Sequence, residues 1–145
     1  MGEILFKGKR TDGKGWAEGC LIHTPKYCCI LQDEKEAHPM DYPFLNGGTG
    51  CIDGYAAPIL PESVGQFTGR TDKNAKRIFE GDIVTGLFLF GLSVNAVVKF
   101  QDGAFGLEWY RGDVKTFNAF TSICNVEYEV IGNIHDNPEL LEGGE

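Results

Sequence analysis

Residues 94–110 constrain this chain more than any other stretch. With Asp102-Gly103 as a two-residue turn, Gln101 faces Ala104, Phe100 faces Phe105, Val98 faces Leu107 and Ala96 faces Trp109. The apolar pairs then share one face. A slip of one residue would turn the whole set toward solvent, so the pattern specifies the register. Asp-Gly suits a type I′ turn, which needs positive φ at both positions. The spacing therefore predicts an antiparallel hairpin, and the rest of the chain is read outward from it.

Residues 3–10 and 16–23 read as two strands around Thr11-Asp12-Gly13-Lys14-Gly15, with a third strand from Tyr27 to Gln32. Residues 33–58 read as an irregular loop: a charged cluster, then Pro39, Pro43, Gly47, Gly48, Gly50 and Gly54. That loop closes an N-terminal β region, residues 1–60, and residues 61–145 form a second module. In the module, Val64 to Thr68 makes a short strand, Thr71 to Lys76 a polar turn, and Arg77 to Glu80 leads through Gly81-Asp82 into another strand. Phe117 to Asn125 fits either a short helix or a loop. Val126 to Ile134 alternates as a strand. Asn137 before Pro138 and Glu139 predicts one short C-terminal helical turn. The 20 glycines are scattered, which implies many turns between many short strands.

Charge narrows the partners. The chain has 13 basic and 21 acidic residues and a formal net charge of -8. Affinity for a phosphate backbone grows with each phosphate neutralised, so broad nucleic-acid binding is disfavoured. The longest apolar stretch, Leu87 to Leu92, is too short to span a bilayer and gives no membrane association. The five cysteines, Cys20, Cys28, Cys29, Cys51 and Cys124, are an odd number, and no apolar signal core opens the chain. A reducing cytoplasm is the expected setting, without a disulfide framework.

Three segments resemble a known family. Val64-Gly65-Gln66-Phe67-Thr68-Gly69, Thr71-Asp72-Lys73-Asn74 and Ile78-Phe79-Glu80-Gly81-Asp82-Ile83-Val84 are similar to the central signature of YopX proteins. Tyr128-Glu129-Val130-Ile131-Gly132-Asn133-Ile134, followed by Asn137-Pro138-Glu139-Leu140-Leu141, resembles the C-terminal signature, and Ile4 to Arg10 resembles a common opening. The resemblance covers roughly residues 3–23 and 61–141. Ala75 departs from it, standing where such proteins usually carry Gly. The resemblance implies a phage or prophage protein in a bacterial cytoplasm and an SH3-type β-barrel in the C-terminal half. It brings no activity, cofactor or catalytic residue.

The candidate chemistry is thin. Cys20 and His23, with Cys28 and Cys29 nearby, have metal-ligand residue types. On strands, however, residues three apart, or adjacent, point to opposite faces. Buried small cysteines are the simpler reading. Asp72-Lys73-Asn74 begins like a calcium loop, but Arg77 and Ile83 stand where that loop needs Gly and Glu. His23, His38 and His135 lack nucleophile surroundings. No catalytic, metal or cofactor site is assigned, and the expectation is a noncatalytic protein. Two surfaces remain. Arg70, Lys73, Lys76 and Arg77 form a basic turn that could contact nucleic acid. Leu87, Phe88, Leu89 and Phe90 put apolar residues on both faces of a strand, which points to an interface with a second copy or with a phage or host protein.

Overall fold

The fold is mainly β, with two antiparallel sheets, and the chain divides into two units, Met1–Gln66 and Phe67–Glu145. The computed structural model describes residues 4–32, 41–44, 54–89, 92–120 and 128–141.

In the first unit the strands are β1 (Phe6–Lys9), β2 (Trp16–His23), β3 (Cys28–Gln32), β4 (Tyr42–Phe44) and β5 (Gly54–Pro58), in the order β4-β5-β3-β2-β1. The Asp12-Gly13 turn joins β1 to β2 as expected, with Lys9 opposite Trp16. Strand alternation then sorts the side chains into rows. Leu21, Ile30 and Ala57 stand side by side across β2, β3 and β5 and join a core with Ala17, Ile59, Phe6, Cys28 and Val64. Ile22, Cys29 and Pro58 form the adjacent row.

The irregular loop expected over residues 33–58 needs correction. Residues 42–44 and 54–58 of it are strands, and β5 pairs with both β3 and β4. Gly54-Tyr55-Ala56-Ala57-Pro58 has little β propensity of its own. The strand exists because β3 offers a partner and the core takes Ala57, a tertiary effect that propensity does not carry. The other part of that loop lies outside the described residues.

A buried ion cluster ties this unit together. Arg10 is 2% exposed and Asp41, just before β4, 7%. The Arg10 guanidinium donates to both Asp41 carboxylate oxygens, to Asp12 across the turn at 2.8 Å, and to Gln32 Oε1 at 3.5 Å. Hydrogen bonds to Asp12 and Asp41 outweigh burial and hold its proton more tightly than usual. Arg10→Met strips the carboxylates of this cation, and urea unfolding of the variant is expected to show a loss of about 3–5 kcal/mol. Replacing Asp41 by Leu as well should recover most of it, because the pair is then removed together.

The second unit holds the later part of β6 (Gly65–Thr71), then β7 (Arg77–Phe79), β8 (Asp82–Leu89), β9 (Leu92–Gln101), β10 (Ala104–Arg111), β11 (Val114–Ala119) and β12 (Glu129–Asn133), and ends in a 3-10 turn at Pro138–Leu141. Its five-stranded sheet runs β11-β10-β9-β8-β12. The β9–β10 hairpin has the register read from the sequence: Gln101 faces Ala104, Phe100 faces Phe105 and Val98 faces Leu107. Asp102 and Gly103 have φ of 53° and 81°, as a type I′ turn demands. Val84, Val94, Ala96, Val98, Leu107 and Trp109 fill one face, joined by Ile78 and Phe120.

The sheet is antiparallel as expected and does not close into a barrel among the described residues, where β11 and β12 end the order. One expectation for this unit changes. Residues 114–119, whose later half read as helix or loop, are strand β11. Lys115, Thr116 and Asn118 make the segment polar, and only pairing along β10 makes it a strand.

The turn before β7 runs through Ala75 at φ 64°. An L-residue with a Cβ is strained there, and glycine is not. Ala75→Gly is therefore expected to stabilise the protein by about 1 kcal/mol in the same urea titration.

Candidate functional site

The basic residues lie on one hairpin. Arg70 is on β6, Arg77 pairs with Thr71 from β7, and Lys73 and Lys76 sit in the turn between. All four are exposed. Three of them make contacts within this unit. Arg70 lies over the Phe120 ring at 5.0 Å, Arg77 over Phe67 at 5.8 Å, and Lys73 Nζ is 3.5 Å from Glu129.

Asp72 holds this turn. Its Oδ1 accepts the amides of Asn74 and Lys76 at 2.8 and 2.9 Å, and Oδ2 accepts the Val130 amide from β12 at 3.0 Å. The Lys73 amide adds a bond to the Tyr128 carbonyl at 2.9 Å. The residue that could have begun a calcium loop thus spends both oxygens on backbone amides. Burial pushes the carboxyl upward, but the amides of Val130, Lys76 and Asn74 outweigh it, and the net shift is below the ordinary 3.8.

The thiols and histidines lie apart in role. His23 faces Cys28 across β2 and β3, Ile22 faces Cys29, and Cys20 faces Leu31. Burial pushes the Cys28 thiol up, helped by Glu62, and burial beside Cys28 does the same for Cys29. A raised thiol is a poor nucleophile at neutral pH. Among the described residues no three His, Cys, Asp or Glu side chains come together as metal ligands. His38, Cys51 and Cys124 lie outside the described residues.

The interface expected at residues 87–90 lies in and after β8. The backbone pairs Leu87 with Val94, Phe88 with Ser93 and Leu89 with Leu92. The side chains of Leu87, Phe88 and Leu89, and Phe90 as a whole, lie outside the described residues.

Sequence reading missed a groove in the first unit. It encloses about 670 Å³ and is lined by Ile22, Lys26, Tyr27, Cys28, Cys29, Ala56 and Pro58. Its floor is the row Ile22–Cys29–Pro58. Its rim is the Thr24–Tyr27 turn, fixed by the Lys26 and Tyr27 amides donating to Thr24 Oγ1 at 3.2 and 3.0 Å. That turn presents Tyr27 with 63% of its surface exposed. Lys26 is the charged residue among the described lining. The signal for the groove was the unbroken run Cys28-Cys29-Ile30-Leu31, which supplies apolar side chains to both faces of β3.

The sequence matches the family described as YopX protein over residues 23–142. The chain belongs to the YopX family. The match runs through residues 24–60, which the motif resemblance had left out. Among solved structures, protein EF1440 from Enterococcus faecalis is similar, with a TM-score of 0.57 and 24% identity over 97% of this chain and 99% of that one. That likeness concerns the fold. No curated protein matches the sequence.

The YopX signature residues serve the architecture. Asp82, 1% exposed, accepts the Phe79 amide at 2.8 Å. The Gly81 amide donates to Val98, and its carbonyl receives the Ile134 amide, so the central signature clamps β9 to the end of β12. Asn137 Oδ1 accepts the Asn133 amide at 3.3 Å, while Asn133 Oδ1 takes the amides of His135 and Asp136. Asn95 holds the final turn through the Leu140 carbonyl at 2.8 Å.

Asp72 gives this unit an acid limit. Its folded pKa lies below the unfolded one, so its contribution is complete above the ordinary aspartate value and is lost as pH falls through the lowered folded value. Thermal unfolding from pH 7 down to pH 2 should show this loss in the wild type. Asp72→Asn should be less stable by about 1–3 kcal/mol at neutral pH and flatter in acid.

Proposed function

We propose that this YopX protein is a noncatalytic interaction module of phage or prophage origin that works in the bacterial cytoplasm. It binds a phage or host protein through the groove at Ile22, Tyr27, Cys29 and Pro58. The observation that supports this reading is the groove itself: apolar in floor, of a size suited to an anchoring side-chain cluster, and rimmed by an exposed tyrosine on a hydrogen-bonded turn. Aromatic residues are frequent carriers of binding energy at interfaces.

An SH3-type curl of the second unit belongs to the same proposal. The register shifts between Val84 and Leu87 and between Val130 and Gly132 support it, since bulges bend strands toward closure.

Tagged protein incubated with a bacterial lysate is expected to retain a defined protein, identified by mass spectrometry. Tyr27→Ala and Ile22→Asp should each weaken that complex by about tenfold or more, with thermal unfolding showing that both variants fold. Capture unaffected by either change would overturn the groove. Salt-sensitive retention of nucleic acid, lost when Arg70, Lys73, Lys76 and Arg77 are all replaced by Gln, would overturn the reading in favour of a nucleic-acid accessory role.

A further inference from the structure

The two edges of the second unit's sheet are treated differently. At β12, the outward Val130 amide and Tyr128 carbonyl are taken by Asp72 and by the Lys73 amide. The turn before β7 thus covers that edge. At β11 the sheet ends on a six-residue strand paired only with β10 among the described residues.

The register says which groups that edge presents. Gln101 and Ala104 flank a two-residue turn, so they form a hydrogen-bonded pair, and such pairs alternate along an antiparallel ladder. Ala104, Gly106 and Glu108 therefore bond to β9, and Leu107, Trp109 and Arg111 bond to β11. Arg111 faces Val114 across the next two-residue turn, which fits the same alternation. On β11, Val114, Thr116 and Asn118 point their backbone groups at β10. Lys115, Phe117 and Ala119 point theirs away, and no described residue bonds them.

We propose that β11 is the self-association surface of this protein, pairing antiparallel with β11 of a second copy about a two-fold axis at Phe117. A bare edge is a template for another strand, and the charges here suit the chain's own. Centred on Phe117, Lys115 comes opposite Ala119, and Thr116 opposite Asn118, so no like charges meet. Phe117 stands opposite its counterpart in the backbone register. Its ring packs back over β10, where a Cβ on Gly106 would fall 2.7 Å from Phe117 Cζ, so it leaves the outward N–H and C=O of Phe117 open to a second strand. Lysine on an edge commonly discourages pairing. Here Lys115 leans back along the sheet to Glu108, 3.8 Å away, which offsets its charge. Symmetric pairing makes the interface isologous and closes the assembly at a dimer.

Proline separates edge pairing from folding. At position 115 it removes an outward N–H, which a free edge tolerates and a paired edge does not. Sedimentation equilibrium of the full chain should show a concentration-dependent dimer. Lys115→Pro should raise the dissociation constant by at least about tenfold, while Lys115→Thr, which keeps the N–H and a β-forming side chain, should stay within about threefold. A wild type that is monomeric throughout, or a dimer indifferent to Lys115→Pro, overturns the proposal. Should Lys115→Pro misfold, wild-type hydrogen exchange decides: the Lys115, Phe117 and Ala119 amides should slow as protein concentration rises, and exchange independent of concentration overturns it. Tyr27→Ala, in the groove of the other unit, should leave the dimer intact, so self-association and partner capture are read separately.

Discussion

The second unit depends on one carboxylate. Asp72 closes the turn between β6 and β7 through the amides of Asn74 and Lys76, and reaches across to the Val130 amide on β12. One group thereby fixes a local loop and a strand 58 residues away. An amide hydrogen bond to a charged acceptor is stronger than a neutral one, and three of them offset the cost of burying the charge. The arrangement also accepts a strained residue, Ala75, because the surrounding bonds leave the turn no other path.

This explains why the family signature is so uninformative about activity. Its polar residues look like candidates for chemistry, yet Asp72 and Asp82 receive backbone amides, Asn133 and Asn137 bond the last turn, and Gly81 joins two strands. A small sheet protein with many turns has many backbone groups outside its ladders, and each needs a partner when buried. Short polar side chains at fixed spacing meet that need. Ile22, Tyr27 and Phe117, the residues of the two proposed surfaces, lie outside those signature segments.

What could be read in the sequence follows the range of the interaction that sets it. The β9–β10 register was legible because turn type and alternation both lie within the same few residues. The 3-10 turn at Pro138 was legible for the same local reason. Strand β5 was not, since Gly54 to Pro58 becomes a strand only when β3 lies beside it. Arg10 and Asp41, 31 residues apart, show no pattern that would pair them before the sheet brings them together. The basic turn was visible in the sequence as a cluster, but the contacts of Arg70 with Phe120 and of Lys73 with Glu129 come from segments distant in sequence. The groove was hidden for a related reason, because its floor takes one residue from each of three strands.

The two edges of the second unit's sheet are finished differently. A sheet of five strands has two edges, and hydrogen-bonding groups left on either are open to water or to another chain. In this unit one edge is closed by a carboxylate whose bonds are part of the fold. The other ends, among the described residues, on a regular strand whose lysine lies 3.8 Å from Glu108 on β10. Covering β11 would have needed no more than a second such turn, and the chain has none among the described residues. Guarding one edge limits growth of the sheet to a single direction, and a two-fold pairing at the remaining edge consumes that direction once. Under the proposed pairing of β11, the same carboxylate that holds the β12 edge would keep the assembly finite.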